Sequence, residues 1–363
     1  MYRIGEKELE FLKRLSEAFG PPGFEFEVLK LVKEYVSKYV DNIEMDNLGS
    51  LVMIKKGVSS KPRVIIAGHS DEVGFIVTGI TKEGYIKFIP LGGWWDQVLL
   101  GQRVIIKTRK GVIHGVIASK PPHVLKPEER DKVVKIDAMF IDVGATSKEE
   151  VEKLGIRIGD PIVPWSPFTI SSTGTTVFGK AFDDRIGVFI AVETLRTLYE
   201  NNIEHPNILM SIATVQEEVG ARGAQTVSYV AEPDVAIIAE VDIARVPGVE
   251  SHEAPTVLGK GPTILTYDAS MIPSQKFKEF VIDVAEESKI PYQLSIVPRG
   301  GTDAGRFHLY RTGRPSIVIG VPTRYIHSHV GVIHLKDLEN AVKLLIEVVK
   351  RLDENIVKNL TPL

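Results

Sequence analysis

Cysteine is absent from the 363-residue sequence. This absence excludes disulfide bonds, thiol nucleophiles and thiolate metal sites, so a metal ion would have to be held by histidine, aspartate and glutamate. The formal net charge of −3 also provides no basic excess that would attract nucleic acid or an anionic membrane surface. We therefore expect neither nucleic acid nor membrane as a partner.

Long apolar runs are missing as well. No stretch approaches the roughly 18 consecutive apolar residues of a transmembrane helix. The N-terminal stretch MYRIGEKELEFLKRLSEAFG lacks the apolar core of a signal peptide and places Leu9, Leu12 and Leu15 at helical spacing. We expect a cytoplasmic protein. Its 44% hydrophobic and 25% charged residues are typical of a globular chain with a large core.

The sequence pattern changes twice along the chain. Residues 1–74 combine amphipathic helical stretches with apolar β runs, and residues 168–363 alternate helical stretches with short Val/Ile-rich runs. Between them, residues 75–167 contain short alternating β runs separated by glycine turns, which indicates a small all-β unit. We predict an α/β fold with a mixed, largely parallel sheet and helices on both faces, interrupted by this inserted β domain.

Acidic residues and histidines follow several of the predicted strands. They are His69, Asp71, Glu217, Glu218, Asp242 and His327. Asp183 lies in AFDDRIG, at the start of a long helical stretch. A single acid at a strand end is more often a cap or a solvated group. Because ligand sites in open α/β sheets form outside the carboxyl ends of the strands, we nevertheless expect the whole set to converge.

The chemistry of this set indicates metal binding. Imidazole and carboxylate without thiolate suit zinc, cobalt or manganese. One carboxylate between two ions, with a histidine and a further carboxylate at each, would form a two-metal hydrolytic centre. Successive residues of an extended chain point to opposite sides, so Glu217 and Glu218 cannot both ligate in the same way. We expect one to ligate and the other to accept the proton of the attacking water.

The motifs around these positions occur together, and in this order, in a known family. They are HSDEVGF (69–75), KAFDDRIG (180–187), QEEVGARGA (216–224), EVD (240–242), GGTDAGRFH (300–308) and PTRYIHS (322–328). Together they resemble the tetrahedral aminopeptidases, co-catalytic metallopeptidases of the glutamyl and deblocking aminopeptidase type. ASKPPHVL, MFIDVGATSKEE and GIRIGDPIV in the inserted part resemble the dimerisation domain of that family. The resemblance covers nearly the whole chain.

The resemblance implies a role for each site residue. The metal ligands would be His69, Asp183, Glu218, Asp242 and His327, with Asp183 bridging two divalent ions such as zinc or cobalt. Glu217 would be the general base, and Asp71 would orient the His69 imidazole. Many relatives carry Asn where this chain has Asp184, so hydrogen bonding near the site is a less certain role for this residue.

Two histidines compete for one ligand position. His327 and His329 lie two residues apart and would project to the same side of an extended strand, so spacing does not choose between them. The His-Ser pattern of the family favours His327.

The function implied by the resemblance is metal-dependent removal of N-terminal residues from peptides, in a self-compartmentalising dodecamer built from dimers. A glycoside hydrolase is one alternative, because paired carboxylates can serve as acid and nucleophile without histidine ligands. A catalytically silent scaffold is another, although the complete ligand set argues against it. No charge partner for a substrate side chain is evident in the sequence, which favours neutral aliphatic residues and leaves acidic, basic and glycine specificity open.

Overall fold

The computed structural model describes residues 2–361. Within these residues the α-helices are α1 (Glu6–Glu17), α2 (Phe26–Val36), α3 (Pro127–Arg130), α4 (Lys148–Leu154), α5 (Phe182–Glu200), α6 (Arg222–Ala231), α7 (Gln275–Glu287), α8 (Ala304–His308), α9 (Leu335–Arg351) and α10 (Glu354–Asn359). The β-strands are β1 (Asn42–Met45), β2 (Leu51–Lys56), β3 (Arg63–His69), β4 (Gly74–Ile80), β5 (Ile86–Leu91), β6 (Arg103–Thr108), β7 (Gly111–Ala118), β8 (Phe140–Asp142), β9 (Pro161–Pro164), β10 (Thr169–Ile170), β11 (Thr176–Gly179), β12 (Ile208–Thr214), β13 (Val235–Ile243), β14 (Thr263–Asp268), β15 (Gln293–Val297), β16 (Ser316–Arg324) and β17 (Gly331–His334).

One large mixed sheet forms the body of the molecule. Its strand order is β1-β2-β12-β3-β13-β16-β17-β11-β10, and β14 and β15 attach beside β16. The four central strands β12, β3, β13 and β16 are parallel. The other pairings of the sheet are antiparallel, except that β15 runs parallel to β14. The predicted α/β fold with a mixed sheet is confirmed, and its parallel part lies mainly at the centre.

Helices cover both faces of this sheet. In β3, Val64 and Ile66 pack into a core with α1, α2, α5 and α9, while Ile65 and Ala67 pack with α6 and α8 on the other face. The alternation follows from the two-residue period of a strand. Both faces of the central strands are buried, which is why their sequences are apolar throughout.

Helix α5 lies unusually close to the central strands. A Cβ atom on Gly187 would lie 2.1 Å from the Ala239 carbonyl oxygen of β13, and one on Gly68 of β3 would lie 2.3 Å from the Gly187 carbonyl carbon. Only glycine permits this approach. The first turn of α5, which contains Asp183, is thereby held against the carboxyl ends of β3 and β13.

The all-β unit predicted between the two α/β segments is a small closed barrel. Its strand order is β4-β5-β8-β7-β6-β9, and its strands lie between Gly74 and Pro164. Phe75, Val104 and Ile141 are among the residues of its separate core. The inserted barrel is confirmed as part of the fold, whereas a division of the chain into domains at residues 74/75 and 167/168 stays a prediction.

Among residues 2–361, none of the helices combines the length and the apolar character that a membrane crossing requires.

Candidate metal centre

The carboxyl edge of the central strands brings the sequence-predicted site residues together. His69 is the last residue of β3, and Asp242 is the penultimate residue of β13. Glu217 and Glu218 follow the end of β12 after a short turn, and Asp183 is the second residue of α5. The parallel pairing of β12, β3 and β13 places these strand ends side by side.

Left-handed backbone turns direct two of the segments towards this edge. Gln216, immediately before the glutamate pair, has φ 57°, and His327, in the turn after β16, has φ 56°. Such φ values are uncommon for residues other than glycine, and here they turn the chain so that Glu217 and His327 face the carboxyl edge of the sheet.

Asp183 lies between two imidazoles. Its Oδ1 is 3.0 Å from His69 Nε2, and its Oδ2 is 3.2 Å from His327 Nε2. Glu218 Oε2 is 3.5 Å from His327 Nε2, and Glu217 Oε2 is 3.9 Å from His69 Nε2. Two histidines therefore share one carboxylate, with a glutamate beside each.

Asp71 holds two segments of the site at once. Its Oδ1 lies 3.6 Å from His69 Nδ1, and its backbone carbonyl oxygen is closer to the same nitrogen, at 3.2 Å; the predicted orienting role of the carboxylate stays a prediction. The same carboxylate accepts the backbone N–H of Glu217 at 2.9 Å and that of Glu218 at 3.0 Å. The hydrogen bonds to the glutamate turn were not predicted from the sequence. They fix the direction in which both glutamate side chains leave the backbone.

Asp184 is fully buried behind the histidine strand. Its Oδ2 accepts the backbone N–H of His69 at 3.0 Å, and its Oδ1 accepts that of Gly187 at 2.8 Å. The carboxylate thus joins the end of β3 to the start of α5. The Asp184 side chain therefore forms hydrogen bonds near the site, although it stands where the family pattern has Asn.

Glu240, rather than Asp242, faces the other ligands. Glu240 Oε2 is 3.9 Å from His69 Nε2, and a group of ligand atoms that lie within 4.8 Å of one another joins Glu240 to His69 and Asp184. Asp242 lines the same cavity, but its carboxylate belongs to neither of the two such groups found among the described residues. Asp242 as a ligand stays a prediction, and the geometry favours Glu240.

A glycine pair from the barrel also reaches the site. A Cβ atom on Gly93 would lie 3.0 Å from His327 Nδ1, and one on Gly92 would lie 3.0 Å from Glu218 Oε2. This contact was not predicted, since the aromatic residues of GGWWD (92–96) are more typical of packing or of a subunit contact. Two adjacent glycines before aromatic residues were the available signal for a close approach of backbone.

His329 is separated from the ligand atoms. Its ring is buried and lies 5.6 Å from the Trp94 ring, between centroids. Burial lowers the pKa of His329 to about 4. The geometry therefore agrees with the family pattern in favouring His327 over His329.

The buried acids of the site are short of positive charge. Burial raises the pKa of Glu218 to about 8, with Asp183 adding to the rise, and burial raises the pKa values of Glu217 and Glu240 as well. Burial alone would also raise the pKa of Asp183, but the imidazoles of His327 and His69 outweigh it and lower that pKa. Among the described residues, no lysine or arginine lies within ion-pairing distance of these four carboxylates.

These observations fit divalent cations. One group of possible ligand atoms joins His69, Asp183 and Glu218, and the second contains His69 with Asp184 and Glu240. Glu218 Oε1 is buried and has no hydrogen-bond partner in the part of the chain that the structure describes. Oxygen and imidazole nitrogen atoms are suitable ligands for zinc and related ions, and an added cation would offset the mutual repulsion of the carboxylates.

The site opens into a cavity of about 860 Å³. Glu217, Asp183 and His327 lie in its wall, and Leu265 and Val297 contribute an apolar part. A volume of this size is within the range of small-ligand sites. The candidate centre is thus accessible to a substrate.

The sequence matches the family model of M42 glutamyl aminopeptidases over residues 49–344. The chain belongs to this family. FrvX of Escherichia coli strain K12 is 40% identical over 340 residues, which are 93% of each chain. The lysyl aminopeptidase of Pyrococcus furiosus is 34% identical over 351 residues, covering 95% of this chain and 98% of its own. As an M42 member the protein is an aminopeptidase, and the recognition of the tetrahedral aminopeptidase family is confirmed.

Solved structures of M42-type enzymes agree with this placement. A tetrahedral (TET) aminopeptidase from the archaeon Thaumarchaeota archaeon SCGC AB-539-E09 is 58% identical, with a TM-score of 0.97 over 98% of this chain and 99% of its own. The PhTET1 dodecamer is 31% identical, with a TM-score of 0.84 over 96% of this chain and 100% of its own. Membership of this metallopeptidase family implies divalent metal ions.

Proposed function

We propose that the protein is a dinuclear metallo-aminopeptidase that releases N-terminal residues from peptides. The observation that carries the proposal is the position of Asp183, whose two oxygens each lie beside a different imidazole. Asp183 would bridge two ions, with His69 and Glu240 at one and His327 and Glu218 at the other. Zinc or cobalt suits these ligands.

Bound divalent ions would lower the pKa of the attacking water and polarise the scissile carbonyl group. Glu217 is the proposed general base. Its Oε2 lies 3.9 Å from His69 Nε2, and burial raises the pKa of its carboxyl group, so it is suited to accept a proton and pass it to the leaving amine. Asp71 fixes its position through the backbone N–H of Glu217.

The test combines metal content with hydrolysis of aminoacyl-p-nitroanilides. We expect the loaded protein to contain two ions per chain and to cleave substrates with a free amino group. Glu217→Gln should retain the ions and lose about 10²–10⁴-fold in kcat, the usual contribution of a general base. Full activity of Glu217→Gln would exclude this residue as the base, and inactivity of the wild type with every metal and substrate would contradict the proposed function.

A glycoside hydrolase remains the weaker alternative. A Thermotoga maritima protein named an endoglucanase is 31% identical, with a TM-score of 0.77. The matching family model, however, is that of aminopeptidases. A glycosidase pair also has no need of the two histidines that flank Asp183. The near-complete set of possible ligands likewise speaks against a silent scaffold.

We further propose assembly into a dodecamer built from dimers, within the cytoplasm. PhTET1 forms a dodecamer, and this chain matches it over 96% of its length. Apolar residues on or beside the barrel are exposed, including Trp95, Val112 and Ile158. Exposed large apolar side chains on one small domain agree with a dimerisation role for residues 75–167. Analytical ultracentrifugation should give twelve times the 40.1 kDa chain mass.

A further inference from the structure

Asp242 is a buried charge in the cavity that the proposed chemistry leaves unused. Only 2% of its surface is exposed. Its Oδ1 accepts the backbone N–H of Ile243 at 2.8 Å. Its buried Oδ2 makes no hydrogen bond of good geometry within residues 2–361, and the only side chains that approach the carboxylate as donors there are the neutral hydroxyls of Ser295 and Thr263. No lysine or arginine among the described residues forms an ion pair with it. A buried carboxylate without a cation is costly, so its presence in a cavity wall points to a cation that enters with a ligand.

The distance between Asp242 and the proposed metal centre matches the length of one substrate side chain. Asp242 and Glu240 are two residues apart on β13 and project from the same face, which separates their Cα atoms by about 6–7 Å. Leu265 and Val297 line the cavity alongside Asp242. An aliphatic stem could therefore extend from the reacting end of the cavity along apolar side chains to a terminal carboxylate.

We propose that Asp242 receives the cationic side chain of the substrate's N-terminal residue, so that the enzyme selects peptides that begin with lysine or arginine. This inference rests on the proposed aminopeptidase function. The methylene groups of the substrate contact Leu265 and Val297, and the terminal ammonium or guanidinium donates to the Asp242 carboxylate in a charge-assisted hydrogen bond. The neutral aliphatic preference suggested by the sequence is thereby replaced, because tertiary structure supplies the charge partner that the sequence did not show.

Two arginines of the same cavity offer the opposite specificity. Arg299 and Arg306 line the cavity, but both are exposed, and Arg306 Nη2 already donates to the Gly220 carbonyl oxygen at 3.1 Å. Solvent screens an exposed charge, whereas the field of a buried one is screened much less. The buried carboxylate of Asp242 therefore outweighs the arginines in selecting a side chain.

Binding of free amino acids tests Asp242 independently of turnover. Titration calorimetry would compare L-lysine with L-norleucine, which has a similar stem without the ammonium group, on metal-loaded wild type and Asp242→Asn. We expect lysine to bind the wild type at least about tenfold more tightly, the scale of a hydrogen bond to a charged group, and the ratio to fall towards one in Asp242→Asn. Equal binding by the wild type, or an unchanged ratio in a folded Asp242→Asn, would overturn the proposal.

Hydrolysis separates this inference from the proposed function. On lysyl-, norleucyl- and glutamyl-p-nitroanilide, the wild type should show its highest kcat/KM with lysine, and Asp242→Asn should lower the lysine to norleucine ratio by about tenfold. Arg306→Gln, the control variant, should change that ratio by less than about twofold. A preference for glutamate would overturn the proposal and favour the arginines. If nothing is hydrolysed, the aminopeptidase function fails, and the binding ratio still decides whether Asp242 recognises a cation.

Discussion

Two groups of buried acids differ in how their charge is balanced. Behind the sheet, Glu193 of α5 is fully buried, and both its oxygens accept from Arg196, from Nε at 3.0 and 3.1 Å and from Nη2 at 2.6 Å. Tyr2 and Tyr35 also donate to it, at 3.0 and 2.8 Å. At the carboxyl edge, Glu218 has a buried oxygen that none of the described residues contacts by a hydrogen bond.

The difference separates structural charge from functional charge. The acids on α1 and α5 carry their cation within the chain, in Arg196. Within residues 2–361, the acids at the strand ends have only the His69 and His327 imidazoles as positive groups within ion-pairing distance. Burial alone is therefore a poor sign of a site. A buried carboxylate whose chain supplies no cation is a better one, since folding selects against such groups unless a ligand compensates them.

Breaking the balanced cluster should have the largest effect on stability. Glu193→Gln leaves the Arg196 guanidinium paired with Glu8 and Glu200 but removes the buried acid that accepts from its Nε, and losing hydrogen bonds to a buried charged group costs about 1–3 kcal/mol. We expect the free energy of unfolding, measured by urea denaturation of the metal-loaded protein, to fall by this amount. A loss below about 1 kcal/mol would show that the cluster is not a buried ion-pair network in solution.

Removing a proposed ligand should weaken metal binding with little change in the metal-free fold. We expect Glu240→Gln to raise the Kd of the more weakly held ion by about 10–100-fold or more, since even outer contacts of a metal site have effects of this size. Asp242→Asn is the matched variant two residues away and should change the Kd far less. The reverse order in a competition assay with a chromogenic chelator would restore Asp242 as the ligand.

The pH dependence of stability in the metal-free protein should reveal the buried acids at the strand ends. The pKa of Glu218 is raised by burial from its ordinary 4.5 to about 8, so the folded chain binds a proton here that the unfolded chain has lost. This contribution is fully present below pH 4.5 and is lost as the pH rises through 8.

We therefore expect chelated wild type to lose on the order of 1 kcal/mol or more of stability between pH 5 and pH 8, and Glu218→Gln to lose less. The metal-loaded protein should show the opposite trend, because ligation requires the deprotonated carboxylate. Identical slopes for the two chelated proteins in thermal unfolding would contradict the pKa shift.

The smallest effect on stability is expected at the partly exposed ion pairs of Glu347 with Lys350 and Arg351. Burial alone would raise the pKa of Glu347, but hydrogen bonds from Lys350 and Arg351 lower it overall. Its contribution is therefore present above the unfolded pKa and is lost on acidification. We expect Glu347→Gln to reduce the free energy of unfolding at pH 7 by no more than about 1 kcal/mol in urea denaturation. A loss as large as that of Glu193→Gln would remove the distinction between buried and surface pairs.

Much of the candidate site could be predicted from the sequence because strand ends and ligand chemistry are local properties. His69, Asp183, Glu218 and His327 were all predicted, and the structure brings their side chains together. The choice between Glu240 and Asp242 was less accessible. Both lie in EVD and project from the same face of β13.

Strand register distinguishes these two acids. Ile238 of β13 lies opposite Ala67 of β3, which places Glu240 level with His69. Asp242 follows two residues later and therefore lies beyond the end of β3. Register between strands that are about 170 residues apart is set by packing of both sheet faces, and no local pattern encodes it. The approach of Gly93 to His327 is non-local in the same way, since it depends on how the barrel docks.

By itself, the sequence determined which elements form and which chemistry is available: alternating apolar runs, acids and histidines after them, and no thiol. Tertiary structure alone decided which acids meet a cation from the chain and which are left for a ligand. It paired Glu193 with Arg196, aligned Glu240 with His69 and left Asp242 in the cavity without a lysine or arginine partner among residues 2–361. The physical reason is that side-chain type is fixed locally, whereas the balance of buried charge depends on neighbours that only folding brings together.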